Sequence, residues 1–226
     1  SRVHRGEEPQ VRLSERPGRR GQRAVDWRLV DEVAKPAKFA EAVQARATRY
    51  AAQSKRAGAA AAGKGVKLTP LNKKISSDAL TYEYVQVAID RAKRTATFTV
   101  HAPKSAVPTT IAGIEAAGAN WYPLQMAREL DDAILSMRTN ELDVGTWLLR
   151  TAGDAQLALQ SDAVLLENAS HWLVNETIGL LRRTLARVDV SSRSLFALVD
   201  EGSCFVGMLA ELAFAADRVY MLALPD

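Results

Sequence analysis

The sequence is poor in the residues that build disulfides and metal sites. It contains one cysteine, Cys204, and three histidines among 226 residues. The chain therefore cannot form an internal disulfide, and the wide spacing of the histidines matches no metal-binding pattern. It also lacks a run of 18 or more apolar residues, and its arginine-rich start lacks the apolar stretch of a signal peptide. We expect a cytoplasmic protein that neither spans a membrane nor carries a metal.

Surplus positive charge is missing from all but the start of the chain. The net charge is +4, and residues 1–23, with seven arginines and three glutamates, account for all of it. No basic stripe interleaved with aromatic residues follows. Because a nucleic-acid-binding surface needs such a stripe, we expect no nucleic-acid partner. What the chain does have is 47% apolar residues, enough for a sizeable core.

Hydrophobic spacing divides the chain into four segments. Residues 1–23 show neither a helical nor a strand period, which predicts a disordered or atypical start. Residues 24–54 contain an amphipathic helix that follows a proline. Residues 55–81 are rich in Gly, Ala and Lys without regular spacing, which predicts a linker. Residues 82–226 carry the remaining helix and strand patterns.

Strand and helix patterns alternate along residues 82–226. Two runs of alternating apolar residues, around Val87 and Phe98, predict a β-hairpin. The patterns that follow are a helix (NWYPLQMARELDDAILSM), a strand (VGTWLLRT), a helix from residue 171 to about 188, a strand (SLFALV), a glycine-bearing loop, a helix and a strand. Strands separated by helices of this length predict an α/β fold.

The glycine-bearing loop belongs to the most distinctive stretch, GSCFVGMLAELAFAADRVY, at residues 202–220. This stretch resembles the turn and helix of the crotonase (enoyl-CoA hydratase) superfamily, G-x-x-x-G-G-G-x-E-L-A-x-x-x-D. Glu211 and Asp217 are in register with that pattern, whereas Met208 and Leu209 replace its second and third glycines. TAGDAQLALQSD lies where the superfamily carries T-G-x-G-x-A-F-x-A-G-A-D. The two blocks, in this order, imply a crotonase-like fold of repeated ββα turns.

The resemblance also implies a site. In crotonases two backbone N–H groups hold the thioester oxygen of a CoA substrate while negative charge develops on it. On this register the two amides belong to Ser161 and Met208, and Glu211 takes the acid/base position, where burial must poise its carboxylate. CoA enters as part of the substrate, and no separate cofactor is implied.

From Gly21 to the end the chain carries stretches such as WRLVDEV, ARELDDAILSMRTNELDVGTW and ETIGLLRRTLARVDVSSRSLFAL. In these it resembles the benzoyl-CoA-dihydrodiol lyase family, which has two crotonase-like domains in tandem, whereas residues 1–20 depart from that family. Residues 24–54 are similar to the C-terminal tail of the first domain. Residues 82–226 are similar to a second domain truncated at its C-terminus, so the resemblance implies an internal fragment. The family opens the ring of 2,3-epoxybenzoyl-CoA to an aliphatic semialdehyde CoA thioester and formate in aerobic benzoate degradation. It implies catalytic glutamates and a cysteine in the first domain, outside this chain, and a scaffolding role for this segment in a homodimer.

Two alternatives are open. An enoyl-CoA hydratase or isomerase requires an active Glu211 and the amides of Ser161 and Met208 converging on one point. A non-catalytic interaction domain of the same fold predicts a large exposed apolar face with no pocket beside Glu211. Met208 and Leu209 in place of glycines favour a filled site, and Glu211 is equally explained as a first-turn carboxylate stabilised by the helix dipole. Cys204 is expected to be a small buried residue.

Overall fold

The structure is a computed structural model that describes residues 21–53 and 65–223. These residues fall into two compact units, one on each side of the gap. Residues 1–20 of the disordered or atypical start predicted for residues 1–23, and residues 55–64 of the predicted linker, lie outside the described residues. Gln22 and Arg23, which belong to that predicted start, are helical instead.

The described part of the first unit, residues 21–53, contains two helices and a 3₁₀ turn. Helix α1 spans Gln22–Asp26, a 3₁₀ turn spans Pro36–Lys38, and helix α2 follows directly as Phe39–Gln53. Lys35, before the proline, is extended, as a residue preceding proline prefers to be. The predicted helix is confirmed, but none of its residues is buried within the described part of the chain. Its apolar face is exposed and includes Phe39, Val43 and Tyr50.

The second unit is built on a seven-stranded sheet whose strands lie in chain order. The strands are β1 (Lys74–Ile75), β2 (Ala79–Thr81), β3 (Val85–Asp90), β4 (Thr95–His101), β5 (Thr146–Ala152), β6 (Ser194–Val199) and β7 (Arg218–Met221). Neighbours from β1 to β4 are antiparallel, and neighbours from β4 to β7 are parallel. The predicted α/β class is confirmed.

The β3–β4 hairpin forms where the alternating pattern predicts it. Val85, Val87 and Ile89 are buried on one face of β3, and Ala96, Phe98 and Val100 are buried on β4. Each residue pairs across the hairpin with another buried residue, as Val87 does with Phe98. Burial of one face therefore fixes the register of the pair.

Two strands lie inside the range that the sequence predicts as linker, residues 55–81. Strand β2 pairs with β3, and β1 pairs with β2. Strand β1 is only two residues long and exposed, and β2 buries only Leu80. Such short strands have too few alternating residues for a sequence pattern, and pairing with β3 is what makes them strands.

Five helices accompany the sheet in the second unit: α3 (Ile111–Ala117), α4 (Tyr122–Asn140), α5 (Ala155–Glu167), α6 (Trp172–Asp189) and α7 (Glu211–Phe214). Short 3₁₀ turns precede α4 and α7. The predicted helices α4 and α6 are confirmed. Helix α5 was not predicted; its N-terminus is capped by Asp154, whose side chain accepts hydrogen bonds from the N–H groups of Gln156 and Leu157.

Helix α4 supplies much of the core. Met126, Leu130 and Met137 along one face are buried. Phe98 of β4 packs against Trp147 of β5, with ring centroids 4.6 Å apart. Among the residues that the structure describes, no helix combines the length and apolar character needed to cross a membrane.

The parallel strands determine where a site can form. Since the carboxyl ends of parallel strands meet at one edge of a sheet, the segments that follow β5 and β6 lie at the same edge, where α/β proteins bind ligands. The first of these segments leads into α5, and the second contains the glycine-bearing loop and α7.

Candidate functional site

An open pocket of about 660 Å³ lies beside the glycine-bearing loop. Its walls come from α5, α6 and residues 208–215, and they are mainly apolar. The apolar side chains are those of Leu165, Leu166, Ile178, Leu181, Leu185, Ala186, Met208, Phe214 and Ala215. The charged side chains are those of Asp162, Arg182, Asp189 and Glu211. Both Met208 and Glu211 of the predicted site therefore line one pocket.

The loop that leads to the pocket is anchored to the end of strand β5. The N–H of Cys204 donates a hydrogen bond to Thr151 Oγ1 at 2.9 Å. Cys204 is buried, as predicted, and burial raises the pKa of its thiol. The residue therefore holds the loop in place and lacks the thiolate character of a nucleophile.

Gly207 begins the 3₁₀ turn beside the pocket and adopts a φ of 50°, which favours glycine. A Cβ atom at this position would collide with the carboxylate of Asp162. Both the backbone conformation and the close approach of Asp162 therefore require glycine here. This is the first glycine of the crotonase-like triplet and the one that the chain retains.

The amide of Met208, one of the two predicted oxyanion donors, already has an acceptor. Its N–H donates a hydrogen bond to Asp162 Oδ2 at 2.6 Å. Burial raises the pKa of Asp162, and this hydrogen bond partly opposes the effect. Asp162 ends the motif block that the sequence points to, but no role for its carboxylate was predicted.

Ser161, the other predicted donor, lies in the interior of helix α5. An N–H at such a position donates to the carbonyl four residues earlier in the helix, so it does not point at a ligand. Its side chain is fully buried, and its Oγ has no hydrogen-bond partner among the described residues. The amides of Ser161 and Met208 therefore do not form a pair of free donors in this structure, contrary to what the resemblance implies.

Glu211 is the first residue of the four-residue helix α7 and is exposed to solvent. The hypothesis of an acid/base role needs burial to poise this carboxylate, and that burial is missing. Asp217, the last position of the motif, has a structural role. Its Oδ2 accepts a hydrogen bond from the N–H of Leu195 at 2.8 Å, joining the start of β7 to β6.

The sequence analysis did not identify the buried carboxylate of Glu129, which lies on the core-facing surface of helix α4. Glu129 is 2% exposed and accepts hydrogen bonds from the N–H of Tyr84 and from Gln125 Nε2. A charged residue inside the apolar helix pattern was the available signal.

Among residues 21–53 and 65–223, no group of three or more His, Cys, Asp and Glu side chains is arranged to hold a metal ion.

Similarity to one known protein agrees with the resemblance seen in the sequence. The chain is 58% identical over 205 residues to a benzoyl-CoA-dihydrodiol lyase from Aromatoleum evansii. The match covers 91% of this chain but only 36% of that relative. No family model matches the chain. A crystal structure of an enoyl-CoA hydratase from Geobacillus kaustophilus HTA426 matches with a TM-score of 0.40 and 17% identity, over 63% of this chain and 47% of that one.

Proposed function

We propose that this chain is part of a ring-opening lyase that acts on 2,3-epoxybenzoyl-CoA, and that its second unit is a crotonase-like scaffold. The observation that carries the first part is the 58% identity over 91% of the chain to a benzoyl-CoA-dihydrodiol lyase. The reaction uses water to convert the epoxidised ring to an aliphatic semialdehyde CoA thioester and formate. Because the chain spans 36% of that relative, the activity is assigned to the larger protein.

The scaffolding role is supported by the state of the predicted donors. A catalytic oxyanion site needs preorganised N–H groups that are free to meet the charge developing on the substrate. Here the Met208 N–H is taken by Asp162, and the N–H of Ser161 lies inside helix α5. This arrangement disfavours the alternative of an enoyl-CoA hydratase or isomerase site in this unit.

The observations support only part of the alternative of a non-catalytic interaction domain. A pocket does lie beside Glu211, contrary to the simplest form of that alternative. Apolar side chains are nevertheless exposed at the pocket, with Phe214 79% and Leu166 77% exposed. Exposed apolar side chains that cluster are typical of surfaces that associate. We include a homodimer in the proposal for this reason, and a cytoplasmic location because the single buried cysteine fits a reducing compartment.

The test uses the full-length protein that contains this chain. Supplied with 2,3-epoxybenzoyl-CoA, it is expected to release formate and an aliphatic semialdehyde CoA thioester, detected by mass spectrometry. The 226-residue chain alone is expected to give no turnover. Absence of ring opening by the full-length protein would contradict the assigned reaction.

Glu211→Gln in the full-length protein separates scaffold from catalyst. On the scaffold proposal kcat stays within about twofold of the unmodified protein, and the free energy of unfolding changes by no more than about 1 kcal/mol. Glu201→Gln, at an exposed position in the preceding turn, is the matched control. A fall in kcat beyond about 100-fold with unchanged circular dichroism would identify Glu211 as a general acid or base.

A further inference from the structure

We propose that Asp162 determines what the pocket accepts, because its carboxylate occupies the Met208 amide and so keeps the carbonyl oxygen of an acyl ligand out. The choice of a CoA thioester as that ligand rests on the proposed function. The hydrogen bond from the Met208 N–H to Asp162 does not rest on the proposed function, and it is tested separately.

The argument starts from the position of the donor. Met208 and Asp162 both line the pocket, and the hydrogen bond between them, at 2.6 Å, is short for an N–H donor. Such bonds to a carboxylate are stronger than those between neutral groups. A ligand carbonyl is a neutral acceptor, so it competes poorly with Asp162 for this N–H.

The backbone is shaped around the same carboxylate. Gly207 leaves space for Asp162 that any side chain would fill, and its positive φ brings the Met208 N–H to face helix α5. Asp162 follows Ser161, which is fully buried on α5, so the carboxylate is carried by a helix that is packed in place. The loop backbone at Gly207 and the packed helix α5 therefore both fix the hydrogen bond between Met208 and Asp162.

The other charged groups at the pocket do not give it a net positive charge. Arg182 and Asp189 face the pocket from α6, and Glu211 faces it from α7. With Asp162 included, three carboxylates face one guanidinium. Removing the carboxylate of Asp162 therefore frees a donor in a mainly apolar pocket, which suits a carbonyl group attached to a short acyl chain.

The first experiment measures the donor itself. In the 226-residue chain, amide hydrogen exchange at Met208 is followed by NMR in Asp162→Ala and Asp162→Asn. The alanine variant is expected to exchange roughly 10- to 100-fold faster, the factor that corresponds to a hydrogen bond to a charged group. The asparagine variant keeps an acceptor oxygen and is expected to show a smaller increase. Glu167→Gln, at the exposed end of the same helix, should leave the exchange rate unchanged.

The second experiment measures the consequence for binding. Hexanoyl-CoA and its thioether analogue hexyl-CoA differ only in the carbonyl oxygen. The unmodified chain is expected to bind both equally. Asp162→Ala is expected to bind the thioester about 3- to 10-fold more tightly than the thioether, as for one neutral hydrogen bond. Calorimetric titration measures both constants. If Asp162→Ala does not fold, Asp162→Asn serves for both experiments, with smaller changes in the same directions.

Faster exchange at Met208 together with a carbonyl-dependent gain in binding supports the proposal. Unchanged exchange in both Asp162 variants would overturn it, and so would faster exchange with equal binding of thioester and thioether. Neither measurement depends on ring opening, so failure of the assigned reaction and failure of this inference are distinguishable.

Discussion

The buried carboxylate of Glu129 accepts a hydrogen bond from the backbone N–H of Tyr84 at 2.7 Å, which links helix α4 to the segment entering strand β3. A second hydrogen bond comes from Gln125 Nε2 at 2.9 Å. Burial raises the pKa of Glu129, and the two hydrogen bonds oppose this effect without cancelling it. The folded chain therefore holds the proton of this carboxyl more tightly than the unfolded chain does.

The raised pKa of Glu129 predicts a pH-dependent stability. Between the ordinary value of 4.5 and the higher folded value, the folded state binds more protons, so the free energy of unfolding falls as pH rises. Glu129→Gln removes this contribution. The stability of the unmodified chain relative to the variant should therefore decline as the pH rises above 4.5 in urea unfolding. The comparison of the unmodified chain with Glu129→Gln isolates the effect of Glu129, because the raised pKa of Asp162 contributes to the pH dependence of both proteins in the same way.

Glu167→Gln is the control for that comparison, since Glu167 is exposed. A difference between the unmodified chain and Glu129→Gln that is independent of pH would show that Glu129 titrates alike in the folded and unfolded states.

Gly207→Ala is expected to destabilise the second unit by roughly 2 to 4 kcal/mol. The positive φ costs an alanine about 1 to 2 kcal/mol, and the Cβ collides with Asp162, so the hydrogen bond to Met208 is lost as well. Gly202→Ala is a matched control. Gly202 also has a positive φ, 79°, but no atom lies within 4 Å of its added Cβ. Equal losses for both variants in urea unfolding would mean that the contact with Asp162 adds nothing.

Cys204 is expected to resist alkylation while the chain is folded. Its side chain is 1% exposed, and burial raises the pKa of the thiol, which lowers its thiolate content. Reaction with iodoacetamide should be roughly 100-fold slower, or more, than in the urea-unfolded chain, because the reagent must wait for local opening. A small thiol measured in the same urea solution corrects for the solvent. Comparable rates in the two states would place Cys204 at an accessible site.

Regular patterns in the sequence predicted the parts of the fold that one buried face defines. Val87 and Phe98 lie in such alternating runs and pair with each other in the β3–β4 hairpin. Helix α5 lacks this signal. Its apolar residues point both ways, with Val164 buried but Leu159 and Leu166 exposed. Leu166 lines the pocket, a role that local spacing does not reveal.

The motif does not reveal which groups the predicted site residues contact. Met208 and Glu211 line one pocket. The acceptor of the Met208 N–H, however, is Asp162, which lies 46 residues earlier in the chain. The motif position alone predicted that the N–H of Ser161 is a free donor. In the structure this N–H lies inside helix α5, so it is not free. Contacts between distant segments and the path of the main chain are tertiary properties, which spacing within one motif does not encode.

The order of the strands has a consequence for how the sheet is made. Each strand from β2 to β7 lies beside the strand that precedes it in the chain, so each has a pairing partner that has already been synthesised. The sheet can grow on the ribosome one strand at a time. Each added strand closes only the segment that connects it to the preceding strand. Such near-neighbour assembly keeps loop-closure costs small and shortens the time that each unpaired edge is available to other nascent chains.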